Sequence, residues 1–261
     1  MRFELREYQK KAVKELFDEF RIMLKSSERG ICVFKAPTGS GKTVAVADLL
    51  RKLVRAYKDQ LSFVWLAPRK LHNQSKDKLE EIYENDQLLN CSNFEDLQDN
   101  IIAENEILFF NWQSIVMDNN IYIRDNEQDR NLSTVRKNTK ESKRKLILIV
   151  DESHHSYRGE KAMNLIHELD PDVTLEVSAT PELKEITARP VTVSLEDVIA
   201  EEMVKNKVLI NPEFLKITVG ESSTDSIVIK EALKKRDLLK KGFKKEGSNI
   251  NPLVLIQKMK K

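Results

Sequence analysis

A segment of small and polar residues, Ala36 to Thr43, constrains the fold of this chain more than any other. It reads Ala-Pro-Thr-Gly-Ser-Gly-Lys-Thr, follows the apolar stretch 31–34 and precedes a helical repeat of apolar residues. A strand, a tight loop, Lys-Thr and a helix follow one another in this order in phosphate-binding loops. Backbone amides can crowd around phosphate oxygens only where side chains are minimal, which is the role expected of Gly39 and Gly41.

The other loop residues have side chains suited to a triphosphate and its metal ion. Lys42 is expected to place its ammonium on the β- and γ-phosphates, and the Thr43 hydroxyl to ligate Mg²⁺. Thr38 and Ser40 complete the predicted nucleotide contacts. The first glycine of the general pattern is replaced by Ala36. A glycine-rich turn before an ordinary helix is the structural alternative, and the flanking strand and helix disfavour it.

A second apolar stretch ends in two carboxylates. Five apolar residues, 146–150, precede Asp151 and Glu152. Such a run is typical of a strand buried on both faces, and it delivers both carboxylates to the sheet edge where open α/β folds bind ligands. Asp151 is expected to hold Mg²⁺, and Glu152 to orient and deprotonate the attacking water. With Lys42, these are the predicted catalytic residues; an acidic turn at a strand end is the alternative.

Strand and helix patterns alternate along the chain. Helices are predicted at 8–24, 43–57, 74–84 and near 162–169, and strands at 31–34, 62–66, 107–110, 146–150 and 173–177. This alternation predicts an α/β fold with a mostly parallel sheet and helices on both faces.

Other regions depart from that alternation. Residues 117–145 are rich in asparagine and charge and exceed an ordinary connection in length, so we expect a mobile polar insertion there. Its basic later half could touch a phosphate backbone, although a solvated loop without a partner is favoured. Further on, helices are predicted at 194–204 and at about 227–241, and the chain is expected to loosen over 242–251.

Composition limits the classes of function. Lys and Arg total 44 against 42 Asp and Glu, so any nucleic-acid contact must be local. The two cysteines, Cys32 and Cys91, offer neither a disulfide framework nor a zinc spacing, which favours a cytoplasmic location. No apolar run approaches the ~18 residues of a membrane helix, so no membrane partner is expected.

The motifs together resemble the first motor domain of superfamily-two helicases and translocases, the DEAD/DEAH-like group. The matching segments are Lys42-Thr43, Asp151-Glu152-Ser153-His154, Ser178-Ala179-Thr180, Leu5-Arg6-Glu7-Tyr8-Gln9 and Leu66-Ala67-Pro68-Arg69-Lys70-Leu71. The resemblance implies a RecA-like P-loop NTPase fold, ATP and Mg²⁺ as cofactors, and Gln9 as the residue that reads adenine.

The resemblance also implies roles away from the phosphates. Ser178 and Thr180 look like the motif that couples the nucleotide pocket to the nucleic-acid groove, with a strand-end turn as the alternative. His154 looks like a further coupler between domains. The implied nucleic-acid contacts are Arg69, Lys70, Asn111 and Trp112. Trp112 could equally be a core aromatic.

Within this group, three stretches resemble the motor subunits of type III restriction enzymes: 109–114, 154–155 and 193–199. The resemblance implies a motor domain over 1–215, then a linker over 216–261 that ends in the first strand of a second motor domain. That second domain would supply the arginine finger, so weak ATP hydrolysis is expected without it. It also implies a modification subunit as a partner.

Three functions remain open. The chain resembles a DNA-dependent motor, with DNA favoured over RNA. An RNA helicase domain would use the same chemistry. A nucleotide-dependent nucleic-acid-binding module without turnover is the third.

Overall fold

The computed structural model describes residues 4–26, 29–58, 60–68, 71–86, 88–111, 132–152, 166–181, 188–204 and 224–254. The strands among these residues are Gly30–Lys35 (β1), Leu61–Ala67 (β2), Asn90–Ser92 (β3), Glu106–Asn111 (β4), Lys145–Asp151 (β5), Val173–Ser178 (β6) and Arg189–Thr192 (β7). The helices are Glu7–Lys25 (α1), Lys42–Ala56 (α2), Leu71–Tyr83 (α3), Leu132–Glu141 (α4), Leu195–Ala200 (α5) and Thr224–Lys245 (α6), with a 3-10 turn at Phe94–Asp96.

All these strands join one sheet, in the order β3-β4-β2-β5-β6-β1-β7. Each neighbouring pair is parallel. The strand β6 lies between β1 and β5, with Lys35 beside Ser178 and Asp151 beside Val177. The ends of the strands that lead to the phosphate loop and to the paired carboxylates therefore share one edge, and the predicted α/β class is confirmed.

Helices cover both faces of the sheet. Successive side chains of each central strand point to opposite faces, so each of these strands contributes to two hydrophobic clusters. On one face Phe63 and Trp65 of β2 pack in a cluster with buried residues of α1, α2 and α3. On the other face Val64 and Leu66 pack in a cluster that includes Leu132 of α4. The strands read as continuous apolar runs in the sequence because both faces are buried.

The later part of the expected insertion 117–145 differs from the prediction. Residues 117–131 lie outside the described residues, but α4 is a helix that buries Leu132, Val135 and Thr139. Their spacing of three and four residues places them on one helical face, which is hard to see among so many charges. Some of the basic residues of this segment therefore lie on a helix that packs against the rest of the fold.

Several of those basic side chains have intramolecular partners. Arg136 and Lys140 both pair with Asp170, and Arg144 lies 3.4 Å from Glu104. These pairs lie near the start of β5, at the sheet edge opposite to its C-terminal carboxylates. These basic side chains therefore have partners within the chain, and contact of this segment with a phosphate backbone stays a prediction.

The chain divides into two compact units, 1–206 and 207–261. The domain boundary predicted at 215 lies outside the described residues. In the second unit, α6 runs from 224 to 245 and continues through Gly242, where a looser chain was expected. The four residues 251–254 form no strand, and 255–257 lie outside the described residues. In the first unit α5 is shorter than the predicted helix 194–204, although Ser194 caps it as expected.

No helix in the described part of the chain combines the length and apolarity needed to cross a bilayer.

Candidate nucleotide-binding site

The loop between β1 and α2 has the backbone conformation that its glycines allow. Gly39 has φ of 84° and Gly41 of 75°, both in the left-handed region that side chains disfavour. Gly41 is the N-cap of α2 and contributes no side-chain cap. The amides of the first helical turn therefore have no side-chain acceptor at the cap, which suits an anionic ligand.

Lys42 and Glu152 meet across the edge of the sheet. Lys42 is the first residue of α2, its side chain is only 8% exposed, and its Nζ lies 3.4 Å from Glu152 Oε1. Glu152 has φ of 49°, an uncommon conformation for a residue with a side chain, and its N–H donates to the Val177 carbonyl at 2.9 Å.

Asp151, at the end of β5, is a buried carboxylate. Burial, the largest influence, and the neighbouring Glu152 together raise its pKa to about 6, whereas Lys42 and a hydrogen bond from Ser75 act in the opposite direction. One ammonium faces two adjacent carboxylates, which leaves the group with a net negative charge. Such a site favours a cation with oxygen ligands.

The residues present fit a nucleotide and Mg²⁺. The Ser40 hydroxyl in the loop is buried and has no hydrogen-bond partner among the described residues, so a ligand could satisfy it. No group of three or more His, Cys, Asp or Glu that could hold a metal occurs in the described ranges. Mg²⁺ commonly uses one or two protein ligands and completes its shell with phosphates and water, and Asp151 and Thr43 would serve as those ligands.

The beginning of α1 contacts the phosphate loop. Gln9 Nε2 donates to the Ser40 carbonyl at 2.9 Å, and the Arg6 N–H donates to Gln9 Oε1 at 2.9 Å. The Tyr8 hydroxyl donates to the same Ser40 carbonyl at 2.8 Å. Gln9 is thus beside the loop, while its reading of adenine stays a prediction.

Two contacts at this site were not predicted from the sequence: that of Tyr8 with Ser40 and that of Ser75 with Asp151. Tyr8 occupies an apolar position of the α1 pattern, so only its neighbour Gln9 suggested this contact. Ser75 follows the matching segment 66–71 and interrupts the apolar face of α3, and this interruption is its one sequence signal.

The motif Ser178 to Thr180 is joined to the phosphate loop through the backbone. The Ala36 N–H donates to the Ser178 carbonyl at 3.2 Å, and the Thr180 N–H donates to Ser178 Oγ at 3.1 Å. Because Ser178 ends the strand between β1 and β5, it lies between the loop and the carboxylates. The coupling role of Ser178 and Thr180 stays a prediction.

The predicted nucleic-acid contacts are only partly described. Asn111 ends β4 and is half-buried. Arg69, Lys70 and Trp112 lie outside the described residues, as does the predicted coupler His154. Their roles stay predictions.

The parallel sheet, the phosphate loop and the two carboxylates are the arrangement of a P-loop NTPase fold. Residues 2–183 match the family described as type III restriction enzyme, res subunit. This match covers well over half of the chain, which therefore belongs to that family. The family predicted from the motifs is confirmed, and it implies a nucleotide and Mg²⁺.

Three solved structures are similar to this chain. The nuclease-deletion mutant of the type ISP restriction-modification enzyme LlaGI, with a DNA substrate mimic, has a TM-score of 0.50 at 15% identity, over 92% of this chain and 23% of that chain. The Sulfolobus solfataricus SWI2/SNF2 ATPase core in complex with dsDNA has a TM-score of 0.47 at 16% identity, over 69% of this chain and 33% of that chain. The UvsW helicase from bacteriophage T4 has a TM-score of 0.43 at 17% identity, over 74% of this chain and 61% of that chain.

This chain thus spans less than two thirds of each of these solved chains. A comparison with curated proteins finds no match.

Proposed function

We propose that this chain is the ATP-binding and ATP-hydrolysing motor domain of a DNA translocase or helicase of the res-subunit kind. The observation that carries the proposal is the meeting of Lys42 with Glu152, 3.4 Å apart, beside the buried Asp151. Phosphoryl transfer depends on positioning and charge, and these three groups supply the phosphate contact, the base and the metal ligand.

The ion pair suggests how the site changes when ATP binds. Lys42 would exchange Glu152 for phosphate oxygens, which releases the Glu152 carboxylate to accept a proton from water. Thr43 and Asp151 would hold Mg²⁺, which neutralises charge that develops on the phosphates. Gln9, which lies beside the loop, would contact adenine.

The second unit, 207–261, contains the proposed linker, and its main described element is the helix α6. We propose that 216–261 is a linker that leads into a second motor domain, and that ATP turnover is weak without it because that domain supplies the arginine finger.

DNA is the proposed polynucleotide. The support is the family, described as a restriction enzyme subunit, and the similar structure of LlaGI, which is in complex with a DNA substrate mimic. The predicted contacts Arg69, Lys70, Asn111 and Trp112 would bind its backbone, and a modification subunit would be a further partner. The location proposed is the cytoplasm, on the cysteine content alone.

The test is the steady-state ATPase rate of the purified chain with duplex DNA, single-stranded DNA or RNA, next to Lys42→Ala. Weak hydrolysis that DNA stimulates and that disappears in Lys42→Ala supports the proposal. Stimulation by RNA alone would favour an RNA helicase domain. Nucleotide binding with no stimulation by any of the three would favour a binding module without turnover.

A further inference from the structure

A polar residue stands on the buried face of α3. The buried residues of this helix are Ser75, Leu79 and Tyr83, spaced four apart, so they share one side. A serine at such a position loses the packing of an apolar side chain. A buried hydroxyl also costs free energy unless it is hydrogen-bonded, so its partner is informative.

The partner of Ser75 is the carboxylate of the proposed Mg²⁺ site. Ser75 Oγ donates to Asp151 Oδ2 at 3.3 Å, across 76 positions of sequence. Ser75 is 7% exposed and Asp151 8%, so water competes little for this contact. The bond engages Oδ2 and leaves the other carboxylate oxygen outside this interaction.

We propose that Ser75 is a positioning residue that orients the Asp151 carboxylate towards Mg²⁺, an inference that rests on the proposed function. Metal-ligating carboxylates are themselves usually hydrogen-bonded, and those outer partners fix the direction of the ligand. Asp151 is the last residue of β5, and its pairing with Val177 of β6 fixes its backbone. Ser75 fixes the side chain from the side of α3.

Without the hydroxyl, the Asp151 carboxylate would lose the hydrogen bond that sets its direction from the side of α3.

The experiment compares four substitutions at two positions of the same helical face. Ser75→Thr retains a hydroxyl, and Ser75→Val introduces a side chain of the same shape as threonine but without the hydroxyl. The difference between these two variants therefore isolates the hydrogen bond from packing. Ser75→Ala removes the hydroxyl without adding volume. Tyr83→Phe is the control, because it removes another buried hydroxyl of α3, the one that donates to the Ala47 carbonyl at 2.9 Å.

The measurement is the affinity for a fluorescent ATP analogue, first in EDTA and then across a Mg²⁺ titration. We expect Ser75→Ala and Ser75→Val to weaken Mg²⁺ affinity by about tenfold, the lower end of the range for outer partners of metal ligands, since 3.3 Å is a long hydrogen bond. Affinity in EDTA should not change. Ser75→Thr and Tyr83→Phe should retain the Mg²⁺ affinity of the unsubstituted chain.

Two results overturn the inference in distinguishable ways. If the unsubstituted chain shows Mg²⁺-dependent binding and Ser75→Val equals Ser75→Thr, Ser75 has no positioning role, while the proposed function stands. If the unsubstituted chain binds no nucleotide with Mg²⁺, the proposed function fails and the inference with it.

Discussion

Gly41→Ala tests the contact between the phosphate loop and Gln9. A Cβ at position 41 would lie 2.4 Å from Gln9 Nε2, and φ of 75° there already disfavours any side chain. The backbone strain costs about 1–2 kcal/mol. Displacing the Gln9 amide breaks its bonds with Ser40 and Arg6, which adds about 1–2 kcal/mol. We expect a loss of about 2–4 kcal/mol in the free energy of unfolding.

A double-mutant cycle separates the two terms. In a Gln9→Ala background the same Cβ would meet only Met203 Cε, at 3.9 Å, so Gly41→Ala should cost the strain alone. The coupling energy is then about 1–2 kcal/mol. Urea denaturation followed by circular dichroism measures each corner of the cycle.

Gly39→Ala is the matched control, because Gly39 has φ of 84° but a Cβ there would have Val204 Cγ1 as its nearest neighbour, at 3.1 Å. It should show no coupling to Gln9. Equal costs of Gly41→Ala in both backgrounds would refute the reasoning.

Three further predictions concern buried groups. Burial raises the folded-state pKa of Asp151 to about 6, above its ordinary value. Ionisation of Asp151 therefore lowers the free energy of unfolding increasingly as the pH rises from about 4 to about 6, by a constant amount above that range and not at all below it. Asp151→Asn should therefore be more stable than the unsubstituted chain by about 1–3 kcal/mol at pH 8, and urea melts should show this advantage gone at pH 4; a constant difference would contradict it. Gly30→Ala places a Cβ 2.5 Å from Met23 Sδ and should cost about 1–3 kcal/mol in a urea melt, whereas Gly242→Ala, with nothing within 4 Å, should not destabilise α6; similar effects of the two would count against the packing argument. Burial raises the pKa of the thiols of Cys32 and Cys91 to about 12, so neither should react with a disulfide reagent at pH 8 until urea exposes both; immediate labelling of the native chain would disprove this.

The central strands were predictable from sequence because each is buried on both faces. Leu146 to Val150 has no alternation of polar residues, and the structure buries all five. The conformation of the phosphate loop was predictable for a different reason, since Gly39 and Gly41 allow φ values that other residues avoid.

The short edge strands could not be predicted in the same way. The strand β3 has three residues and β7 has four, including Pro190. Each pairs with a single neighbour, so neighbouring strands rather than local composition determine that they form. The extension of α6 through Gly242 was not predicted either. One glycine lowers the stability of a helix by only about 1 kcal/mol, so it does not by itself end the helix.

Contacts between distant segments were the least predictable part of the site. The sequence placed Lys42 and Glu152 at one sheet edge through the order of the strands, and the structure brings them together. Nothing in the sequence paired Tyr8 with Ser40 or Ser75 with Asp151, because those contacts depend on how α1 and α3 pack against the sheet.

The central claim is that Lys42, Thr43, Asp151 and Glu152 form one site for ATP and Mg²⁺. Isothermal titration calorimetry of ATP into the chain, with and without Mg²⁺, tests it most directly. Lys52→Ala is the control for Lys42→Ala, because Lys52 lies on the same helix and pairs with Asp48 away from the loop. The account predicts one bound ATP per chain, tighter with Mg²⁺, unchanged in Lys52→Ala and weakened at least about tenfold in Lys42→Ala. Absence of binding, or equal binding by the two variants, would contradict it.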